Sequence, residues 1–143
     1  MPPGRFFLDT NIFVYSFDDS APVKRAVAQE LVERALTTRQ GLISYQVIQE
    51  FLNVAGTRFA VPLSVEDRRT YLDRVLAPLC EVFAGPGLFA RALDVQERYG
   101  FAFYDALIFA GALEAACAVL YTEDLQAGQR IGAMEIVDPF ARL

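Results

Sequence analysis

Along the chain, short apolar runs stop at polar turns and alternate with longer stretches whose apolar positions recur every three to four residues. Phe6-Phe7-Leu8 is the first such run. It halts at Asp9-Thr10-Asn11, and the apolar Ile12-Phe13-Val14-Tyr15 that follows predicts a helical turn or two before the break at Asp18-Asp19-Ser20. Behind Pro22, apolar Val23, Ala26, Val27, Leu31 and Ala35 interleave with Lys24, Arg25, Glu30, Glu33 and Arg34. This spacing predicts an amphipathic helix over 23–36 with its charges in water. Gly41 then releases the chain into a minimal strand at Leu42-Ile43, and Ser44 is placed to cap a helix that reaches to about residue 59.

The second half repeats the alternation. Ser64 followed by Asp67 is close to a capping box, opening a helix to about residue 76 that Pro78 ends. A short strand over 80–83, a break at Gly85-Pro86-Gly87 and a helix over 88–99 follow, with Gly100 as the C-terminal stop. The stretch 101–113 is long enough for a helix and apolar nearly all the way round, which predicts a central, buried helix. A second strongly apolar strand over 118–121 ends at Thr122-Glu123-Asp124, and a last strand over 134–137 ends at Asp138-Pro139. Short buried strands separated by helices predict an α/β fold. Its parallel sheet has right-handed crossovers and helices on both faces, making a three-layer α/β/α sandwich.

Composition narrows this picture. With 143 residues, 54% of them hydrophobic, all of 1–143 reads as a single domain with a core of its own. Charges interrupt every apolar stretch well short of the roughly 18–20 residues a membrane span needs, and no basic-then-apolar leader opens the chain. A cytoplasmic location without a membrane partner is expected. The absence of histidine excludes Ser-His-Asp and Cys-His nucleophile pairs and His-ligated zinc, leaving carboxylates for acid–base or metal work. Cys80 and Cys117 are far apart in apolar surroundings and read as small hydrophobes. The formal charge of -5 argues against a phosphate-binding surface. Two divalent ions in an acidic pocket would, however, cancel most of it, and every basic residue except Lys24 is an arginine, suited to bidentate phosphate contacts.

The parallel topology places all strand carboxyl ends on one edge, where ligands bind in open α/β sheets. Asp9 and Asp124 share that edge. Asp9 has a second reading, since an acid after a strand commonly caps the next helix. Glu50 lies at the margin of the apolar stripe formed by Val47, Phe51, Ala55 and Phe59, so it points along the surface toward a neighbouring element; snorkelling or pairing with an arginine is the alternative. Asp105 sits in the first turn of the apolar 101–113 helix. The helix dipole offers about 0.3–1 kcal/mol there, against several kcal/mol for burying an unpaired carboxylate. Asp105 therefore needs a strong partner or a metal ion. Gathered together, these acids repel unless protonated or metal-bound, and an all-oxygen cluster suits Mg²⁺ or Mn²⁺.

In order and spacing, FFLDTNIFVY, SYQVIQEF, FYDALIFAGAL and LYTEDLQAG resemble the PIN-domain ribonucleases, specifically the VapC-type toxins of bacterial toxin–antitoxin pairs. The resemblance spans nearly the whole chain. It implies that Asp9, Glu50 and Asp105 bind metal, that Asp124 is the more variable fourth acid, and that Thr10 or Asn11 and Thr122 support them by hydrogen bonding. Glu123 is read as solvated. The implied activity is Mg²⁺- or Mn²⁺-dependent hydrolysis of RNA phosphodiesters, with an antitoxin protein as partner and a homodimer as the assembly. Two alternatives stand beside it: a PIN-like RNA- or protein-binding module without useful turnover, and a haloacid-dehalogenase-type phosphatase. The phosphatase needs a second acid where Asn11 stands, and a receiver domain needs adjacent acids and a strand-end lysine that this chain lacks.

Overall fold

A computed structural model describes residues 4–123, 125 and 128–141. Six strands form one sheet. They are β1 (Phe6–Leu8), β2 (Gly41–Ser44), β3 (Cys80–Val82), β4 (Val119–Tyr121), β5 (Arg130–Ile131) and β6 (Met134–Val137), in the spatial order β3-β2-β1-β4-β6-β5. All neighbouring pairs are parallel except β5 with β6. Consecutive side chains of a strand point to opposite faces, yet Phe6, Phe7 and Leu8 are all buried, so both faces of the central strand are covered. The result is the expected three-layer α/β/α sandwich.

The helices are α1 (Thr10–Tyr15), α2 (Pro22–Thr38), α3 (Tyr45–Thr57), α4 (Val65–Tyr71), the short α5 (Ala77–Leu79), α6 (Pro86–Tyr99) and α7 (Phe103–Glu114). As its composition requires, α7 is buried continuously from Ala106 to Ala112. Gly100 ends α6 in the left-handed region at φ 76°, which glycine adopts without a Cβ penalty.

Four local expectations need correction. Pro78 does not end its helix. A wide π turn over Leu72–Leu76 shifts the hydrogen bonding so that Ala77 N–H reaches Leu72 C=O, and Pro78 enters as an early residue of α5, where its missing N–H costs least. Gly41 does not release the chain, because Arg39 turns it in the left-handed region at φ 60°. Gly41 lies inside β2, and a Cβ there would meet Ala35 and come within 2.7 Å of the Phe6 ring. Ser44 precedes α3, but its side chain makes no capping bond. Finally, the sheet is not wholly parallel: the two-residue β5 pairs antiparallel with β6 around Gly132. By contrast, Ser64 does cap α4, its hydroxyl accepting from Asp67 N–H at 3.0 Å.

Candidate acidic active site

The carboxyl ends of β1 and β4 are tied together before any side chain is considered. Asp9 N–H donates to Tyr121 C=O at 3.0 Å, and Thr122 N–H donates to Val137 C=O at 3.0 Å. Asp9 therefore leaves β1 at a fixed place beside Thr122. One carboxylate oxygen accepts from Thr10 N–H at 2.7 Å, so Asp9 does cap α1; the other accepts from the Thr122 hydroxyl at 2.9 Å. The two readings of Asp9 describe the same side chain. The cap orients a carboxylate that also lines a cleft, and Thr122, fully buried, holds it from the far side. Asn11, in the first turn of α1, reaches the same threonine at 3.5 Å.

Glu50 comes from α3 and points toward α1, where the Thr10 hydroxyl donates to it at 2.6 Å. Thr10 thus braces two acids, Asp9 through its backbone and Glu50 through its side chain. Asp105 enters from the first turn of α7. It is half-buried rather than buried, so the desolvation penalty argued from the sequence is smaller than supposed. Asp9, Glu50 and Asp105, together with Thr10 and Asn11, line one open cleft of about 520 Å³. Asp124 lies outside the described residues. Among the described residues, no three acidic side chains converge closely enough to form a ready metal cluster.

Glu123 is not simply solvated. Tyr15 donates its hydroxyl to one carboxylate oxygen at 2.6 Å, and Lys24 donates its ammonium to the other at 2.6 Å. Burial pushes the Glu123 carboxyl up, but the hydrogen bonds from Lys24 and Tyr15 outweigh it and hold the group below its ordinary value. The hydrogen bond with Glu123 raises the Lys24 ammonium and the Tyr15 phenol in turn. The pair ties the segment after β4 to α1 and α2.

The cleft also contains residues that sequence reasoning passed over. Gln46 is buried and donates to Tyr104 C=O at 3.1 Å, while its side-chain oxygen has no partner. Asn53 and Arg58 extend the wall, and Arg58 is the one cation among the described lining residues. Part of this was available from spacing: Gln46, Glu50 and Asn53 fall on one face of α3 at helical intervals. Nothing local marks Tyr15 or Tyr104.

The fold is thus an α/β sandwich with three carboxylates, Asp9, Glu50 and Asp105, lining one cleft at the carboxyl edge of its central strands. The PIN domain family model matches residues 6–130, and the chain belongs to that family. No curated protein sequence matches it. Among solved structures, it is similar to a toxin–antitoxin complex from Klebsiella pneumoniae, with a TM-score of 0.68, 21% identity, and coverage of 94% of this chain and 97% of that one. It is also similar to VapC20 of Mycobacterium tuberculosis, described as a sarcin-ricin loop cleaving toxin, with a TM-score of 0.58, 18% identity, and 83% and 89% coverage. A third likeness is to VapBC2 of Rickettsia felis bound to a promoter DNA fragment, with a TM-score of 0.59, 19% identity, and 92% and 96% coverage. At these identities the likenesses establish a shared fold.

Proposed function

We propose that the chain is a metal-dependent endoribonuclease acting as the VapC-type toxin of a toxin–antitoxin pair. The observation that carries this reading is the convergence of Asp9, Glu50 and Asp105, from three separate elements of a PIN domain, on one cleft. The donor chemistry fits Mg²⁺ or Mn²⁺. All three groups are carboxylates, Glu50 has one oxygen left over after its bond from Thr10, and among the described residues nothing pairs with Asp105. Asp9, Glu50 and Asp105, with Asp124 as a fourth, would hold the ion. When bound, it supplies charge stabilisation at the phosphate and activates water for attack on phosphorus.

The chain's own residues do the rest. Thr122 and the Thr10 N–H fix the Asp9 carboxylate in orientation, and the Thr10 hydroxyl fixes Glu50, so the acids stay in place against mutual repulsion. Arg58 lies in the cleft wall, where a guanidinium can take a phosphate oxygen. With no histidine, imidazole acid–base chemistry is unavailable. Single-stranded or looped RNA is the substrate class, because unstacked bases are those a protein can read. The partner is a cognate antitoxin, in keeping with the complexes whose fold this chain shares. We place the toxin in the cytoplasm as a homodimer of one-domain chains; among the described residues no helix is long and apolar enough to cross a membrane.

The test is to free the purified chain of any partner and incubate it with structured RNAs, with and without Mn²⁺ or Mg²⁺. Cleavage that persists in EDTA and in Asp9→Asn would sink the metal mechanism. One observation favours a second reading as a binding module without useful turnover, namely that no three described acids meet at one point. Measurable Mn²⁺ binding with no RNA cut would select it.

A further inference from the structure

The cleft is an unusual place for a polyanion. Asp9, Glu50, Asp105 and Glu123 all line it, and Arg58 is the one cation among the described lining residues. Electrostatic attraction to phosphates, the ordinary source of RNA affinity, has only Arg58 to draw on among the chain's own described lining residues. Contacts that do not depend on charge have to supply binding, and stacking on an aromatic face is the main such contact available to an unpaired base.

One residue meets that requirement. Tyr104 is 70% exposed, lines the cleft, and immediately precedes Asp105 in the first turn of α7. Its backbone is anchored, since its carbonyl accepts from the buried Gln46 side chain. Its ring is propped edge-on by Phe103 at a centroid distance of 5.5 Å. A large ring on an anchored backbone, met edge-on by a neighbouring ring and still open to water, is placed at the cleft without being covered. That is the preorganisation a stacking surface needs.

Resting on the ribonuclease reading above, we propose that Tyr104 is the stacking platform for an unpaired nucleobase beside the bond that is cut. It is thereby a specificity-determining residue. Base and cut are coupled through the adjacent Asp105, so the platform selects which phosphodiester meets the acids.

The experiment uses RNA hairpins carrying 2-aminopurine at successive loop positions, with Mn²⁺, and compares the full chain with Tyr104→Phe, Tyr104→Leu and Tyr104→Ala. Stopped-flow fluorescence reads base stacking before cleavage, and gel analysis reads KM, kcat and cut position. The expected result is quenching at one loop position in the wild type. Tyr104→Phe should retain it. Tyr104→Ala and Tyr104→Leu should lose it, with KM raised about 5- to 100-fold, kcat changed far less, and cut sites spread over more loop positions. The exposed ring makes unchanged melting the control for folding. If the wild type cuts RNA while Tyr104→Ala matches it in quenching, KM and cut sites, the platform is overturned and the ribonuclease reading stands. Tyr104-dependent quenching without cleavage would support the platform and overturn the nuclease. A wild type that neither quenches nor cuts overturns both.

Discussion

Replacing Thr122 by valine tests whether the fold holds Asp9 for chemistry or merely tolerates it. The two side chains are nearly isosteric, so the change removes one hydroxyl from a fully buried position and leaves shape intact. Asp9 is 8% exposed, and water cannot readily replace the 2.9 Å bond that Thr122 gives it. A hydrogen bond to a charged group is worth about 1.5–3 kcal/mol. A buried methyl in place of the hydroxyl offsets up to about 0.8 kcal/mol of that. The expected net loss is about 1–2 kcal/mol, which for a chain of this size lowers the melting temperature by about 3–7 °C. Loss of such a supporting contact should also weaken Mn²⁺ binding by about 10- to 100-fold, with a parallel fall in RNA cleavage. Urea unfolding gives the first quantity and calorimetric Mn²⁺ titration the second. If Thr122→Val is as stable as the parent and binds Mn²⁺ within twofold of it, Thr122 does not position Asp9 and the reasoning fails.

Glu50→Gln and Asp105→Asn should each lower RNA cleavage by at least about 100-fold, while stability in EDTA stays level or rises because like charges no longer share the cleft; equal cleavage rates by either variant would remove that acid from the site. Gly41→Ala should destabilise by about 1–3 kcal/mol, because the new methyl meets both the Cβ and the backbone of Ala35; an unchanged urea midpoint would contradict the packing. Burial pushes the Cys117 thiol and the Tyr71 phenol up to about 12 from ordinary values of 9.0 and 10.0. Both groups are neutral in the folded chain while their unfolded counterparts ionise, so the unfolded state binds fewer protons. Stability should therefore fall from about pH 9 toward pH 12, by at most about 1.4 kcal/mol per pH unit for each group. Cys117→Ala and Tyr71→Phe should flatten that alkaline limb in urea titrations, and a limb identical to the parent's would refute the assignment.

How much was legible can be argued from particular residues. Asp9, Glu50 and Asp105 were readable because each is marked by a local break in an apolar pattern, at a strand end, a stripe margin and a buried helix's first turn. The support of Asp9 by Thr122 was expected only from the resemblance to PIN-domain ribonucleases, and the structure shows that hydrogen bond. Glu123 was misjudged because its partners, Tyr15 and Lys24, are 108 and 99 residues away and meet it only across the β1–β4 pairing. The burial of Asp105 was overstated, since an apolar helix sequence shows that the helix is covered but not where its cover stops. A two-residue strand such as β5 has no period to detect.

By itself the sequence determined the alternation of short strands and helices, the shared carboxyl edge, and the placing of Asp9, Glu50 and Asp105 toward it. Those follow from periodicity and strand ends, which are properties of neighbouring residues. Only the tertiary structure decided that Thr10 braces two acids at once, that Gln46 anchors the turn bearing Tyr104, that Glu123 is latched to Tyr15 and Lys24, and that Gly41 is required by Ala35. Each of these depends on the register between strands and the docking of one helix on another. Such distances are set by packing in the whole core and leave no mark on the local order of residues.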